Sequence, residues 1–460
     1  MKIKTAFAVL VSLPTVFAFA QTINEETTWT DENVPALSSG SQIYISDTLN
    51  WQVSDSKVNE LNAIRTRGDK GLFNMSYGSL NLGYLWLANT DAASKADAKL
   101  SNSASITVAN FAMAGISDST ASFEISDNSI LTATNTSNIG NGNGGIATIN
   151  VSDSATLKFA AQLNLGSGQN QGSGGKGTIN LTGGNAKLIM GGGMNFLGAY
   201  ASSGELNVSG GTVSSDGLNG KITRLTVGFT SNGAVNLSGG VTYVNQMDVG
   251  GWIIGNNVSS SLNVSGTDTV LDVSTLNVGL DNRDDLLAEV ALSNLSTVKI
   301  GNASFADTGR FKINVGASSE NSASASIQIS GNLNYGGDTL AEGFVFDFTD
   351  MDNQISGLAD GDTLVVNLFS VGGTFSIYGS AFDKSNGAIG DFLDGNAVLE
   401  NNADMRYWED VDYGDFAWDK DTNTLSVLMT YKGSAVPEPS TTAVIFGAFA
   451  LAFAAYCRRK

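Results

Sequence analysis

The sequence predicts an all-β chain: a β-solenoid, wound as a right-handed parallel β-helix, with a β-rich C-terminal segment and a C-terminal transmembrane helix. Three observations carry this prediction. The 460 residues hold 54 glycines but 4 prolines, and only 15% are charged. At 42% apolar the chain is too hydrophobic for disorder and too poor in charge for long surface helices, whereas small residues with scattered Val, Leu and Ile suit strands and tight turns. A strand motif centred on asparagine recurs through the middle of the chain. The last stretch, VPEPSTTAVIFGAFALAFAAYCRRK, is a proline-bounded apolar run closed by three basic residues.

At the N-terminus, Lys2 and Lys4 precede a largely apolar run from Thr5 to Phe17, and Ala18-Phe19-Ala20 forms an A-x-A cleavage signal. Residues 1–20 therefore read as a secretory signal peptide, cleaved on the pattern of Ala18 and Ala20 to leave Gln21 as the first mature residue. Residues 21–100 are less regular, more charged and contain Trp29, Trp51 and Trp86. An open solenoid rung exposes unpaired strand edges, so this stretch is expected to be the N-terminal cap.

Residues 101–335 are the repeat region. Thr148-Ile-Asn-Val-Ser-Asp153, Thr178-Ile-Asn-Leu-Thr-Gly183, Glu205-Leu-Asn-Val-Ser-Gly210, Ala234-Val-Asn-Leu-Ser-Gly239 and Ser261-Leu-Asn-Val-Ser-Gly266 align on one position. The central Asn falls at 150, 180, 207, 236 and 263, in steps of 30, 27, 29 and 27. Phe123-Glu-Ile-Ser, Val290-Ala-Leu-Ser and Ile327-Gln-Ile-Ser are weaker copies. A second block follows: Leu163-Asn-Leu-Gly, Phe196-Leu-Gly, Leu225-Thr-Val-Gly, Met247-Asp-Val-Gly, Leu276-Asn-Val-Gly and Ile313-Asn-Val-Gly. Each repeat thus holds apolar–polar–apolar strands separated by Gly-Gly, Gly-Asn or Ser-Asp turns. Period 2 sends Ile179 and Leu181 one way and Asn180 the other. One turn has too little apolar surface to fold alone; stacking turns about 4.8 Å apart buries a continuous aliphatic column, in about eight rungs. Propeller blades need about 40–50 residues each, longer than this spacing. The repeats resemble the β-strand repeats of autotransporter passenger domains, which implies a β-helix on a bacterial surface and leaves the activity open.

Residues 336–434 form an acidic, aromatic-rich β segment. Residues 335–434 carry fifteen aromatics, eighteen Asp or Glu and four Lys or Arg, whereas residues 101–300 carry eight aromatics. Gly343-Phe-Val-Phe-Asp-Phe and Thr363-Leu-Val-Val-Asn-Leu-Phe read as strands of a cap or small sandwich.

Residues 435–460 hold a 17-residue apolar run, 441–457, at the lower limit for a spanning helix. Arg458, Arg459 and Lys460 set its orientation, with the basic end cytoplasmic. Val436-Pro437-Glu438-Pro439-Ser440, the apolar run and the basic cluster, in that order at the terminus, resemble the PEP-CTERM sorting signal of Gram-negative bacteria. The resemblance implies recognition by an exosortase-type membrane protease or transpeptidase and processing near Pro-Glu-Pro. It also implies a transient stay in the inner membrane, then delivery to the cell surface or extracellular matrix.

Composition removes several chemistries. There is no histidine, which excludes Ser–His and Cys–His pairs and imidazole metal ligands. The one cysteine, Cys457, lies at the end of the apolar run, so the body has neither a disulfide nor a thiolate. A net charge of −20 repels nucleic acid. The Asn-x-Ser/Thr triplets match a glycosylation acceptor but recur because the strand recurs. Gly140–Gly145 and Gly172–Gly177 lack the context of a phosphate loop and read as turns. Ser54-Asp-Ser-Lys57 and Ser296-Thr-Val-Lys299 match S-x-x-K without its companion motifs. Trp418-Asp419-Lys-Asp421-Thr-Asn423 resembles half a calcium loop but lacks the following Gly and the closing Glu, and reads as a hairpin. Asp268, Asp272, Asp281, Asp284 and Asp285 cluster on one rung, where such a patch on a β-helix can bind calcium or cleave acidic polysaccharide; cleavage needs two carboxylates at a set separation, which spacing in sequence does not supply.

The expected function is an exported, non-enzymatic structural or adhesive protein, without cofactor or resident metal, that meets extracellular polysaccharide or matrix. The rival is a β-helix that cleaves polysaccharide or binds carbohydrate through calcium.

Overall fold

A computed structural model of the chain describes residues 20–432, apart from 168–173, 200, 251–257, 280–285, 317–325, 337–342, 352–356, 386–388, 395, 403–404 and 406. The described residues are all-β, about 57% strand and 3% helix, and hold a β-solenoid of about nine turns. It divides into two compact units, residues 1–262 and 263–460.

In the first unit, parallel strands stack into three ladders. One ladder carries the Asn-centred motif. Lys95–Leu100, Thr120–Ile125, Ile146–Val151 and Lys176–Leu181 pair in succession, followed by the starts of Ser203–Ser214 and Gly233–Val249. Asn150, Asn180, Asn207 and Asn236 are direct register partners, so the alignment read from sequence is the alignment in space. Inward, Phe123, Ile149, Ile179, Leu206 and Val235 form one buried column. Each such side chain contributes about 1.5–3 kcal/mol of transfer free energy.

The second-block strands Leu163–Ser167, Asn195–Ala199 and Ile222–Val227 form another ladder, joined by the end of Gly233–Val249. Ile130–Ala133, Thr156–Phe159 and Lys187–Met190 belong to the third.

Solenoid turns begin well before residue 101. Ala20–Ile23 pairs with Gln42–Ile45, which pairs with Glu60–Thr66 and then Ser79–Leu87. Thr27–Thr30, Thr48–Gln52 and Gly71–Met75 lead into the Asn ladder, with Trp29 on Trp51 in the core. The stretch expected as a cap is therefore solenoid. Its turns are shorter than those of the Asn repeats: Gln42 registers on Ala63, and Ala63 on Tyr84. A search at the longer spacing passes over them.

In the second unit, Leu286–Ser293, Gly309–Asn314, Phe344–Asp347 and Val398–Glu400 form one parallel ladder. Thr269–Val278 pairs along Thr297–Phe305, which splits between Ile327–Ile329 and Leu333–Tyr335. Here the repeat phase expected from sequence slips. Val290-Ala-Leu and Ile313-Asn-Val, assigned to different blocks, lie on one ladder, whereas Ile327-Gln-Ile lies on another.

The acidic segment supplies a last parallel rung and then reverses. Thr363–Val371 pairs antiparallel with Thr424–Thr430, which pairs with Phe416–Asp419. Antiparallel strands covering a parallel edge satisfy backbone groups that would otherwise lie open. The surplus aromatics gather there: Phe369 meets Phe375 at 5.6 Å between ring centroids, and Phe382 meets Trp418 at 5.3 Å. No helix among the described residues is long and apolar enough to cross a membrane. The predicted span 441–457 lies outside the described residues.

Candidate functional site

The feature that the repeats build most consistently is a row of outward amides. Asn180 Nδ2 donates to Asn150 Oδ1 at 2.8 Å, Asn207 to Asn180 at 2.9 Å and Asn236 to Asn207 at 2.8 Å. Upstream in the same row, Asn74 donates to Asn50 at 2.9 Å. Lys99 and Glu124 occupy the rungs between, 3.8 Å apart. Period 2 turns these side chains away from the core, and parallel in-register pairing sets each amide one rung above the last. The Nδ2 atom that a glycan would take is already donating at Asn180, Asn207 and Asn236. Beside the row, Lys176 pairs with Glu205 at 3.0 Å, and Asn207 also donates to Glu205 at 3.2 Å.

Two corners hold the rungs in register. Asn102, Asp127, Asp153 and Gly183 stack at one corner, all at positive φ. The Asn102 N–H donates to Asp127 at 2.9 Å, and the Asp127 N–H to Asp153 at 3.3 Å. The same device opens the solenoid, where the Ser54 N–H donates to Asp31 at 2.7 Å and holds that carboxyl below its usual range. At a second corner sit the closing glycines of the second block. Gly166 and Gly198 have φ of +59° and +75°, and a Cβ on either would lie 1.7 Å from Ser203 O or 1.9 Å from Asn232 O. Only glycine fits there.

The second unit carries an outward charge network. Arg310 reaches Glu289 at 3.2 Å and also contacts Glu400; Lys312 reaches Glu400 at 3.2 Å and contacts Asp347. Burial alone would raise the Asp347 carboxyl, but hydrogen bonds from Lys312, Thr349 and Asn401 outweigh it and hold the group at about 2. Both cations are matched by carboxylates, so the network joins neighbouring strands.

Ala20 and Gln21 open the first strand of the solenoid, with Gln21 registered on Ile43. Ala18, Val436, Pro437, Glu438, Pro439, Ser440, Arg458, Arg459 and Lys460 lie outside the described residues, as do Asp281, Asp284 and Asp285 of the acidic cluster. Asp268 lies at a turn and Asp272 registers on Lys299. Among the described residues no group of three or more potential ligands is placed to hold a metal. Asp419 is spent on its own hairpin, accepting from the Asp421 N–H at 2.9 Å and the Thr422 hydroxyl at 2.8 Å. The Ser296 hydroxyl is buried and donates to Gly266 O at 2.9 Å. Gly140–Gly145 form a turn between strands.

One group escaped the sequence reading. Tyr44, Arg65 and Trp86 are register partners on successive rungs and face outward, with the Arg65 guanidinium 4.3 Å from the Trp86 ring centre and 5.7 Å from that of Tyr44. Their even spacing along the chain was the available signal. No family model, no curated protein and no solved structure matches the chain.

Proposed function

We propose that the chain is an exported, non-enzymatic structural or adhesive protein of the cell surface or extracellular matrix. In this reading residues 1–20 are removed during export. The tail is held in the inner membrane by a helix over 441–457 until an exosortase-type enzyme processes it near Pro437-Glu438-Pro439. The observation that carries the reading is the row of asparagines bonded from rung to rung. Such a row makes a stiff, polar surface whose amides are committed to one another, which suits presentation more than turnover. Right-handed winding belongs to the same proposal, because a right-twisted strand returning to a parallel neighbour favours that hand.

Mass spectrometry of the mature protein from the native cell's surface tests the address. The expected chain begins at Gln21 and lacks Arg458, Arg459 and Lys460. Surface protein that retains those three residues would make the tail a permanent anchor.

A further inference from the structure

We propose that the face bearing Tyr44, Arg65, Arg67, Tyr84 and Trp86 is a binding platform for an anionic polysaccharide. The inference deepens the adhesive reading and rests on it only for where such a polymer is met.

The argument starts from the register. Tyr44, Arg65 and Trp86 stack as outward neighbours on three consecutive rungs, and Tyr84 stands beside Trp86 with its ring 5.3 Å away, edge to face. Arg67 lies over the opposite part of the platform, its guanidinium 3.9 Å from the Tyr44 ring centre. The rings are half-buried and Arg67 is exposed, so each keeps some surface in solvent.

The charge is out of keeping with the chain. The net charge is −20, yet the segments that register with one another on this face, 20–23, 42–45, 63–66, 84–87 and 110–113, hold no carboxylate. Among the described residues neither arginine has an ion-pair partner, whereas Arg224 pairs with Asp248 and Arg310 with both Glu289 and Glu400. The Arg65 Nε is buried and makes no hydrogen bond. The Arg65 guanidinium lies over the Trp86 ring, and a guanidinium so placed can still give its N–H groups to a carboxylate or sulfate.

The rings choose among polyanions. An aromatic face is electron-rich and attracts the polarised C–H groups of a flat sugar ring. Rungs about 4.8 Å apart repeat on the scale of a pyranose unit. An extended acidic polypeptide would use the arginines but not the flat rings. Beyond Trp86 the next rung offers Ala112, whose side chain is a single methyl group.

The test is retention of the intact mature protein in gels containing polygalacturonate, dextran sulfate, neutral dextran or polyglutamate, with chelator throughout. Retention by polygalacturonate or dextran sulfate, weakened by salt and about tenfold lower in Arg65→Gln/Arg67→Gln, is expected. The two polymers distinguish a carboxylate from a sulfate ligand. Arg67→Gln alone, at an exposed site, keeps the test valid if the double variant misfolds; it should lose part of the retention with unchanged circular dichroism. Trp86→Leu should weaken both sugar polyanions without affecting polyglutamate. Equal retention of wild type and Arg variants, no retention of folded wild type, or tightest retention by polyglutamate overturns the proposal. Surface localisation of the Arg variants is read separately: its loss would count against the exported reading, and loss of polymer binding alone would not.

Discussion

At the scale of single residues, the solenoid relies on side chains that work only because an identical position lies one rung away. Asn180 both donates to Asn150 and accepts from Asn207. Asn180→Ala therefore strands two half-buried groups and should lower stability by about 1–2 kcal/mol, read as a shift in the denaturant midpoint. The corner glycines are stricter. Gly198→Ala combines a left-handed backbone with a Cβ 1.9 Å from Asn232 O, and should cost about 3 kcal/mol or more. Gly184, with ordinary φ and nothing within 4 Å of its added Cβ, is the control and should tolerate alanine. The sequence displayed both features as recurrences, and the Asn row was legible down to its register. The reason for the glycines was not, because the atoms that exclude a Cβ come from the following rung, far along the chain. The Tyr44–Arg65–Trp86 stack was missed for a related reason: an aromatic, a cation and an indole do not look like copies of one another.

At the scale of elements, turn length decides what could be read. Where the turns are long, from Phe123 through Ile149 to Ile179, motif and ladder coincide. Where they are short, near the N-terminus, the same fold carries no Asn motif and looks irregular. In the second unit the spacing drifts, and Gly309–Asn314 pairs with a strand the motif had placed in another block. That unit is instead pinned by charge. The Asp347 carboxyl is held at about 2, below its unfolded value of 3.8, so it stabilises the fold above the unfolded value and loses that contribution as pH falls toward 2. The effect is on the order of 2 kcal/mol. Wild type should lose stability between about pH 4 and pH 2 relative to Asp347→Asn, which should show a flatter profile there. Parallel loss in both proteins would place the acid sensitivity elsewhere.

For the whole molecule, composition spoke more clearly than any motif. Scarce proline and charge and abundant small residues pointed to a β protein, and the described residues are about 57% strand. Far-ultraviolet circular dichroism of residues 21–434 should show β-structure and almost no helix; a strong helical signal would contradict the solenoid. Function was less legible, because a solenoid repeat specifies a surface and a spacing, and many activities share both. The central claim is that the asparagine row and its neighbours present a surface and perform no turnover. The direct test is to incubate the intact mature protein with a panel of acidic polysaccharides, with and without calcium, and follow chain length and newly formed ends. The account predicts unchanged polymers, whether or not they are retained. New reducing or unsaturated ends, absent from a mock purification, would contradict it.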